Sequence, residues 1–448
     1  MPQRIRRFLA GFGVYLDRRM LALFFLGFSS GLPRLLVYST LSFWLSKEGL
    51  SIKTVGLFAS TALPYNVKFL WAPLVDRFRL PFLADWLGLR RAWMVLSQVG
   101  LVGAIVALSK VDVGAEPLLT AQLAILVAVF SATQDIVIDA FRIEILKDEE
   151  QGAGAAMAVF GYRISMLVAS AGALYLVAAF GSWSTAYLIM ALFMSVGLVT
   201  TLLLKEPEIE REQVRAQSSV LGTLKEHFKL GVFNPFADFL KRDGAFLVIL
   251  FVVFFKFGEA MLGTMVNPFL YKSGLNFSAT EIANISKTFG TVATILGIFA
   301  GGAAVRRLGL LRSLWITGIL QMVSNLVYTG QALLGANVSM LAVTVGVDNF
   351  AGGLGTAAFV AYLSSLCSKR YTATQYALLT ALSGTLHTLV AASAGFIVTF
   401  FGADPKAEQI SPSAWAQYFA LTAVMAIPGL ALLWWMSRRG LTALPENP

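Results

Sequence analysis

Nine ionisable side chains, Arg34, Lys68, Asp135, Asp139, Arg163, Lys256, Glu259, Lys287 and Asp348, fall within stretches otherwise apolar enough to cross a bilayer. A charge at mid-bilayer costs about 2.5–3.5 kcal/mol even on the lenient insertion scale. Such groups must pair, point inward or line a wet cavity. Both signs are present, and both halves of the chain contribute. A set of this kind can bind an ionic solute and exchange protons with it, which is the chemistry of transport.

The acids come in distinct settings. Asp135 and Asp139 are four apart and share one helix face. At 1.5 Å per residue they lie about 27 and 33 Å from the start of their run, in its cytoplasmic half. Two carboxyls in low dielectric resist being ionised together, so one of them would hold a proton near neutrality, which suits proton coupling. The alternative is structural pairing with Arg142, Arg163 or Lys68. Lys256 and Glu259, three apart, either neutralise each other along one helix or divide the work. In that second case Glu259 takes a proton and Lys256 is released to an anionic solute. Asp348 lies about 15 Å into its run, near the midplane. Asn349, Gly352, Gly353 and Gly355 surround it, and no neighbour in sequence is an obvious partner. His387 is read as a hydrogen-bonded packing residue, with proton transfer the alternative.

Lys68, Arg163, Lys256 and Lys287 together form a cationic set suited to carboxylates or phosphates. Arg163 is also about 15 Å into its span. A second charge cluster sits at a predicted helix end. Asp76 and Arg77 close one run, and Gly88, Arg90 and Arg91 open the next. A carboxylate paired with arginines across that turn would hold one gate state. The competing reading is a membrane-edge cluster that only sets topology.

The elements that position these residues follow from hydropathy. The chain has 448 residues, 57% hydrophobic and 13% charged, against about 25% charged in soluble domains. About twelve apolar runs are each long enough to span. They fall at 20–45, 53–75, 92–110, 117–141, 153–180, 183–204, 245–271, 280–305, 310–334, 338–366, 372–402 and 413–436. The expected class is an all-α membrane protein of twelve transmembrane helices in two pseudo-symmetric six-helix halves. The runs are continuous rather than alternating, which excludes a β-barrel.

The net charge of +10 concentrates in alternate loops: Arg4, Arg6, Arg7, Arg18 and Arg19; Arg77, Arg79, Arg90 and Arg91; Arg306, Arg307 and Arg312; Lys369 and Arg370; Arg438 and Arg439. This is the positive-inside bias. It puts both termini in the cytoplasm and removes the need for a nucleic-acid partner. Cys367 is the only cysteine, so no intrachain disulfide forms. The basic N-terminus leads into a full-length run and reads as a permanent helix rather than a cleaved signal.

The division is 1–204, an N-terminal half; 205–243, a cytoplasmic linker; and 244–448, a C-terminal half. The linker carries Leu224, Phe228, Phe233, Phe236 and Phe239 in an amphipathic, interfacial pattern. The halves resemble each other. Phe43–Leu50 matches Phe269–Leu275, Ala169-Ser-Ala-Gly172 matches Ala392-Ser-Ala-Gly395, and Phe180-Gly181 matches Phe401-Gly402. The turn after the second run is matched by Arg306–Gly309. The common order, at a shift of about 220 residues, indicates duplication. Two parallel halves with a midplane site is a transporter plan. Gly27, Ser29, Ser30, Gly31 and Pro33, with Pro64 and Pro428, are expected to kink their spans where backbone lines a cavity, or merely to pack.

The most distinctive segments are Gln134-Asp-Ile-Val-Ile-Asp-Ala140 and Gly152-Ala-Gly-Ala-Ala156 with Gly161-Tyr-Arg163. With them go Gly27-Phe-Ser-Ser-Gly-Leu-Pro33, Lys68-Phe-Leu-Trp-Ala-Pro73 followed by Asp76-Arg77, Lys256-Phe-Gly-Glu259, Gly352-Gly-Leu-Gly355 and Thr372-Ala-Thr-Gln375. Spread over nearly the whole chain, they make it resemble the AmpG muropeptide permeases of the major facilitator superfamily. The resemblance implies proton-driven import of anhydro-muropeptides across the bacterial inner membrane, serving peptidoglycan recycling and β-lactamase induction. The muropeptide, protons and the lipid bilayer are the expected partners, with no cofactor, and a monomer is expected. The sugars of such a cargo need amides and aromatics, for which Tyr38, Tyr65, Gln134, Tyr162, Asn267 and Asn325 are candidates. Arg34 departs from the apolar residue expected after Gly-Leu-Pro and is a candidate for tuning the substrate.

Two other readings stand beside this one. Another anionic cargo on the same scaffold, such as acetyl-CoA, fits a cationic cavity. A membrane-embedded transferase fits less well, because the chain has no His-Glu-x-x-His, nucleophile elbow or phosphate-binding loop. Asp135 and Asp139 alone make a thin metal site, so neither metal nor enzymatic activity is expected.

Overall fold

The computed structural model describes residues 13–51, 54, 58–207, 234–271, 274–401 and 410–440. Helix dominates them, and they contain no strand. Among them, ten helices are long and apolar enough to cross a membrane: α1 (Arg18–Lys47), α3 (Leu89–Ser109), α4 (Pro117–Ile145), α5 (Asp148–Phe180), α6 (Trp183–Leu203), α7 (Ala245–Leu270), α8 (Ile282–Leu308), α9 (Leu310–Leu334), α10 (Val338–Ser365) and α12 (Pro412–Arg438). The element α2 (58–77) and the helix α11 (Thr372–Phe400) complete the order.

The second run departs from the single helix expected at 53–75. Within α2, short 3₁₀ turns at Phe58–Ala62 and Lys68–Leu70 alternate with α pieces at Leu63–Val67 and Ala72–Arg77. Pro64 and Pro73 stand near the starts of the two α pieces. Proline has no N–H to donate and clashes with the carbonyl four residues back, so a helix restarts there rather than running through. Lys68 thereby lies at a break in the backbone. The Trp71 indole anchors this stretch by donating to Thr133 Oγ1 at 3.0 Å.

Other spans bend by different means. α1 passes through Pro33 and then widens into a π-helical turn at Leu36–Thr40, and α5 does so at Val168–Gly172. The two turns are tied by the Thr40 hydroxyl, which donates to the Ala169 carbonyl at 2.7 Å. α8 opens with a π segment at Ile282–Phe289 that carries Lys287. α7 is interrupted at Phe255 and Lys256. Local capping sets the starts. Asp17 accepts from the Arg19 N–H at 2.8 Å at the head of α1, and its hydrogen bonds to Arg19 hold its carboxyl below the usual range. Ser278 and Glu281 form a reciprocal capping box ahead of α8.

Contacts divide the chain into two units. The first holds Met1–Lys147, Met157–Ala237 and Cys367–Ala381; the second holds Asp148–Ala156, Asp238–Leu366 and Leu382–Pro448. The start of α11 thus packs with the first unit and the start of α5 with the second. In the first unit Gly27 and Gly161 let α1 and α5 touch backbone to backbone. A methyl on Gly161 would overlap the Phe24 carbonyl, and one on Gly27 the Ala158 carbonyl. Small residues allow such approach where lipid offers no hydrophobic drive between helices. In the same unit Trp44 stacks on Trp183 at 5.8 Å, within an apolar core that includes Leu36, Leu41 and Ile105.

The second unit has its own aromatic core of Phe269, Tyr328, Trp415 and Phe419. There Gly297 and Gly353 bring α8 against α10. Outward-facing apolar side chains such as Leu203, Tyr175 and Phe246 remain exposed, as a lipid-facing surface requires. Of the linker's amphipathic pattern, Leu224, Phe228 and Phe233 lie outside the described residues. A short helix, Asn234–Leu240, is described, with Phe239 buried.

Candidate functional site

Three clusters gather the ionisable residues. The first is a buried knot in the first unit. Arg90 is 1% exposed and donates to Asp76 at 2.7 Å, to Glu144 at 2.6 Å and to the Val75 carbonyl at 2.9 Å. Asp76 is itself buried and does further work. Its oxygens accept from the N–H groups of Ala373 at 3.1 Å and Thr374 at 2.8 Å, and from the Thr374 hydroxyl at 2.6 Å. Those N–H groups open α11 and have no partner inside the helix, so the carboxylate both caps the end and meets its positive dipole.

Glu206 does the same for α3, accepting from the N–H groups of Arg90 and Arg91 at 2.8 and 3.0 Å. Gly88, with φ of 84°, turns the chain there, and a methyl on it would strike the Glu206 side chain. Arg77 and Arg91 stand apart from Asp76. Arg77 lies over the Tyr371 ring, and Arg91 donates to the carbonyls of Thr201 and Leu202.

The second cluster lies at mid-span in the first unit. Arg34 donates to the Tyr162 hydroxyl at 3.3 Å and lies over the Tyr65 ring at 5.5 Å. Asp135 accepts from the Ser30 hydroxyl and interacts electrostatically with Lys68, Asp139 and Arg34. Asp139 pairs instead with Arg142 at 3.6 Å, while the Arg142 guanidinium covers the Tyr376 ring. Gln134 is fully buried, and the Ser29 hydroxyl donates to its Oε1, which fixes it in the α1–α4 seam. Tyr38 is exposed on the π turn. Arg163 is exposed and makes no hydrogen bond or ion pair among the described residues.

The third cluster lies in the second unit, where α7, α9 and α10 meet. Lys256 Nζ is 3.0 Å from Glu259 Oε2, an ion pair by distance whose geometry falls short of a hydrogen bond. The ammonium donates to Thr356 Oγ1 at 3.0 Å. Asp348 has partners on a neighbouring helix: the hydroxyls of Ser324 and Tyr328 approach it at 3.3 and 3.5 Å. These partners are 20 or more residues away, so no local pattern could reveal them. Lys287 is exposed and donates to Asn267 Oδ1 at 3.2 Å. His387 Nε2 lies 3.3 Å from the Val253 carbonyl, a packing contact. Among the described residues no group of three or more His, Cys, Asp and Glu could hold a metal.

The general model of the Major Facilitator Superfamily matches residues 20–326. The anhydromuropeptide permease of Escherichia coli K12 is 37% identical over 420 residues, covering 94% of this chain and 80% of that one. A Rickettsia felis protein bearing the name AmpG 4 is 36% identical over 427 residues, covering 95% and 98%. The chain belongs to the major facilitator superfamily, in its AmpG branch. Among solved structures, the proton:xylose symporter XylE superposes with a TM-score of 0.64 at 14% identity, covering 94% of both chains. That likeness bears on the fold alone. This AmpG-branch protein is therefore a multi-pass membrane transporter.

Glu144, Glu206, Ser324, Tyr328 and Thr356 complete the clusters of this AmpG-branch chain, yet the sequence did not single them out; Thr374 stood out only as part of the Thr372–Gln375 segment. Glu144 had a signal, being an acid at the end of an apolar run with an arginine two residues before it. The hydroxyl partners had none, because Ser, Thr and Tyr occur throughout the spans.

Proposed function

We propose that this protein is a bacterial inner-membrane secondary transporter that imports anhydro-muropeptides, driven by protons, in the service of peptidoglycan recycling. Arg163 carries the reading. An exposed guanidinium in the middle of a span, without a partner among the described residues, is costly unless a solute meets it. A muropeptide's peptide stem brings carboxylates, and Lys287, Lys256, Lys68 and Arg34 extend the cationic set. Tyr38, Tyr162 and Asn267 suit sugars and amides. The name of the E. coli relative supports this cargo. The two six-helix halves, 1–204 and 244–448, joined by 205–243, with both termini cytoplasmic, are the plan on which such a carrier alternates. Asp76, with Arg90, acts as a gate latch by holding the start of α11, while Arg77 and Arg91 brace the same turn. Asp135, Glu259 and Asp348, then Asp139, carry the proton.

The test is uptake of a labelled N-acetylglucosaminyl-anhydro-N-acetylmuramyl tetrapeptide into proteoliposomes, with and without an imposed proton gradient. Accumulation above the external concentration should require the gradient. Equal uptake in its absence would remove proton coupling, and no uptake at all would remove the cargo.

A narrower prediction concerns affinity. Arg163→Gln and Lys287→Gln should each raise the half-saturating substrate concentration by roughly tenfold, the worth of one charge-assisted contact of about 1.5 kcal/mol. Their melting temperatures should stay at the wild-type value, since neither side chain is buried. Unchanged half-saturation in both folded variants would sink the cationic-contact idea.

A further inference from the structure

Near the third cluster a set of buried amides has no partner. Gln321 is 6% exposed, and its Nε2 makes no hydrogen bond among the described residues. Asn325, one turn along α9, is fully buried with both Oδ1 and Nδ2 unmatched. Leaving a buried donor or acceptor unsatisfied costs about 1–3 kcal/mol each, so a protein keeps such groups where something meets them.

Gly352 locates the place. A methyl there would lie 3.5 Å from Glu259 Oε1 and 3.8 Å from Gln321 Nε2. A carboxylate oxygen and an amide N–H thus flank the position a side chain would take, at ordinary contact distance, and glycine leaves that position empty. On the α7 side, Gly258 packs closely against the Thr422 carbonyl, and a methyl there would also lie 3.1 Å from Asn325 Nδ2. Asp348 precedes Gly352 by one turn of α10, close enough for its charge to interact with that of Glu259. The charged and titratable groups facing these two acids from the same or neighbouring elements include Lys256 on α7, Tyr328 on α9 and His387 on α11.

The occupant is small, donates and accepts, and carries no charge. A metal cation is disfavoured, because the Lys256 ammonium already stands 3.0 Å from Glu259. An apolar filler would strand the amides. Water fits, since it needs two to four polar partners and finds an acceptor in Glu259 and a donor in Gln321.

The geometry points to a water-bridged proton relay between Glu259 and Asp348, in which Gln321 and Asn325 are positioning residues and Gly352 keeps the bridge open. This rests on the proton-coupled reading above. In the relay, protonated Glu259 gives its proton to the bridging water as that water passes another toward the Asp348 carboxylate. The products are a Glu259 carboxylate and a protonated Asp348, with no change in total charge. The two acids therefore load and unload one proton as a unit.

The experiment compares Gly352→Ala and Gln321→Met with Glu259→Gln and Asp348→Asn in the proteoliposomes described above. Three readouts are taken: gradient-driven accumulation, gradient-free exchange of labelled for unlabelled muropeptide, and melting temperature. Gly352→Ala would put a methyl where the water stands, and Gln321→Met removes the amide while keeping bulk. Both variants should melt and exchange as wild type does yet lose accumulation. Wild-type accumulation by both, while the two acid variants fail to accumulate, overturns the relay and leaves proton coupling intact. Wild-type accumulation by both acid variants overturns the coupling and the relay together. A parallel fall of exchange and accumulation in Gly352→Ala and Gln321→Met assigns these residues to packing and also overturns the relay.

Discussion

Replacing Arg90 with leucine is expected to leave little folded protein in the membrane. The guanidinium satisfies Asp76 and Glu144 at once, and all three side chains are 1% exposed or less. Without it, Asp76 and Glu144 both lose the buried cation they share. Breaking a buried ion pair from one side costs about 3–5 kcal/mol, and here two acids lose the same cation. The damage also spreads, because Asp76 caps the start of α11. Detergent-solubilised Arg90→Leu should show a melting temperature far below wild type, with transport lost in proportion to folded protein. Adding Glu144→Leu should recover part of the loss, since only one of the two acids that shared the cation then remains. An Arg90→Leu single variant that melts like wild type would contradict the burial argument. Lysine at this position should rescue poorly, because one ammonium cannot reproduce the planar fork that reaches both carboxylates and the Val75 carbonyl.

The second large effect is steric. Gly161→Val should push α5 away from α1, since even a methyl there overlaps the Phe24 carbonyl. Backbone cannot yield as a side-chain tip does, and overpacking costs about 1–3 kcal/mol or more. Gly353→Val should behave alike in the second unit, where a methyl would overlap the Thr294 carbonyl. Gly103→Val provides the control, because no atom lies within 4 Å of a methyl at that site. The readout is folded yield after size-exclusion chromatography. Equal yields for Gly161→Val and Gly103→Val would show that the crossing is not close.

The spans were legible because each apolar run carries its own length signal, and the bilayer tolerates no other solution than helix or closed barrel. The membrane class and the family-bearing segments rest on local sequence in the same way. Lys256 with Glu259 was legible too, because three residues of helix bring them together. Legibility failed where partners are remote. The partners of Asp348 could not be read, because Ser324 and Tyr328 come from another helix. Arg77 and Arg91 read as equals of Arg90, since all sit in one basic turn. Only packing separated the buried arginine from one over a tyrosine ring and one on helix-end carbonyls.

By itself, then, the sequence determined an all-helical, multi-span chain, its family, and the list of charges that must avoid lipid. Hydropathy and helical spacing are short-range properties, so one chain segment suffices to state them. The tertiary structure decided which charges are spent on holding the fold and which stay exposed, as Arg142 over Tyr376 and Arg163 do respectively. It also decided backbone detail. The same four residues are π-helical at Ala169–Gly172 and α-helical at Ala392–Gly395. Identical local propensities cannot distinguish them. In the first case the Thr40 hydroxyl supplies a hydrogen bond to the Ala169 carbonyl from a neighbouring helix, and such a contact exists only once the helices have packed.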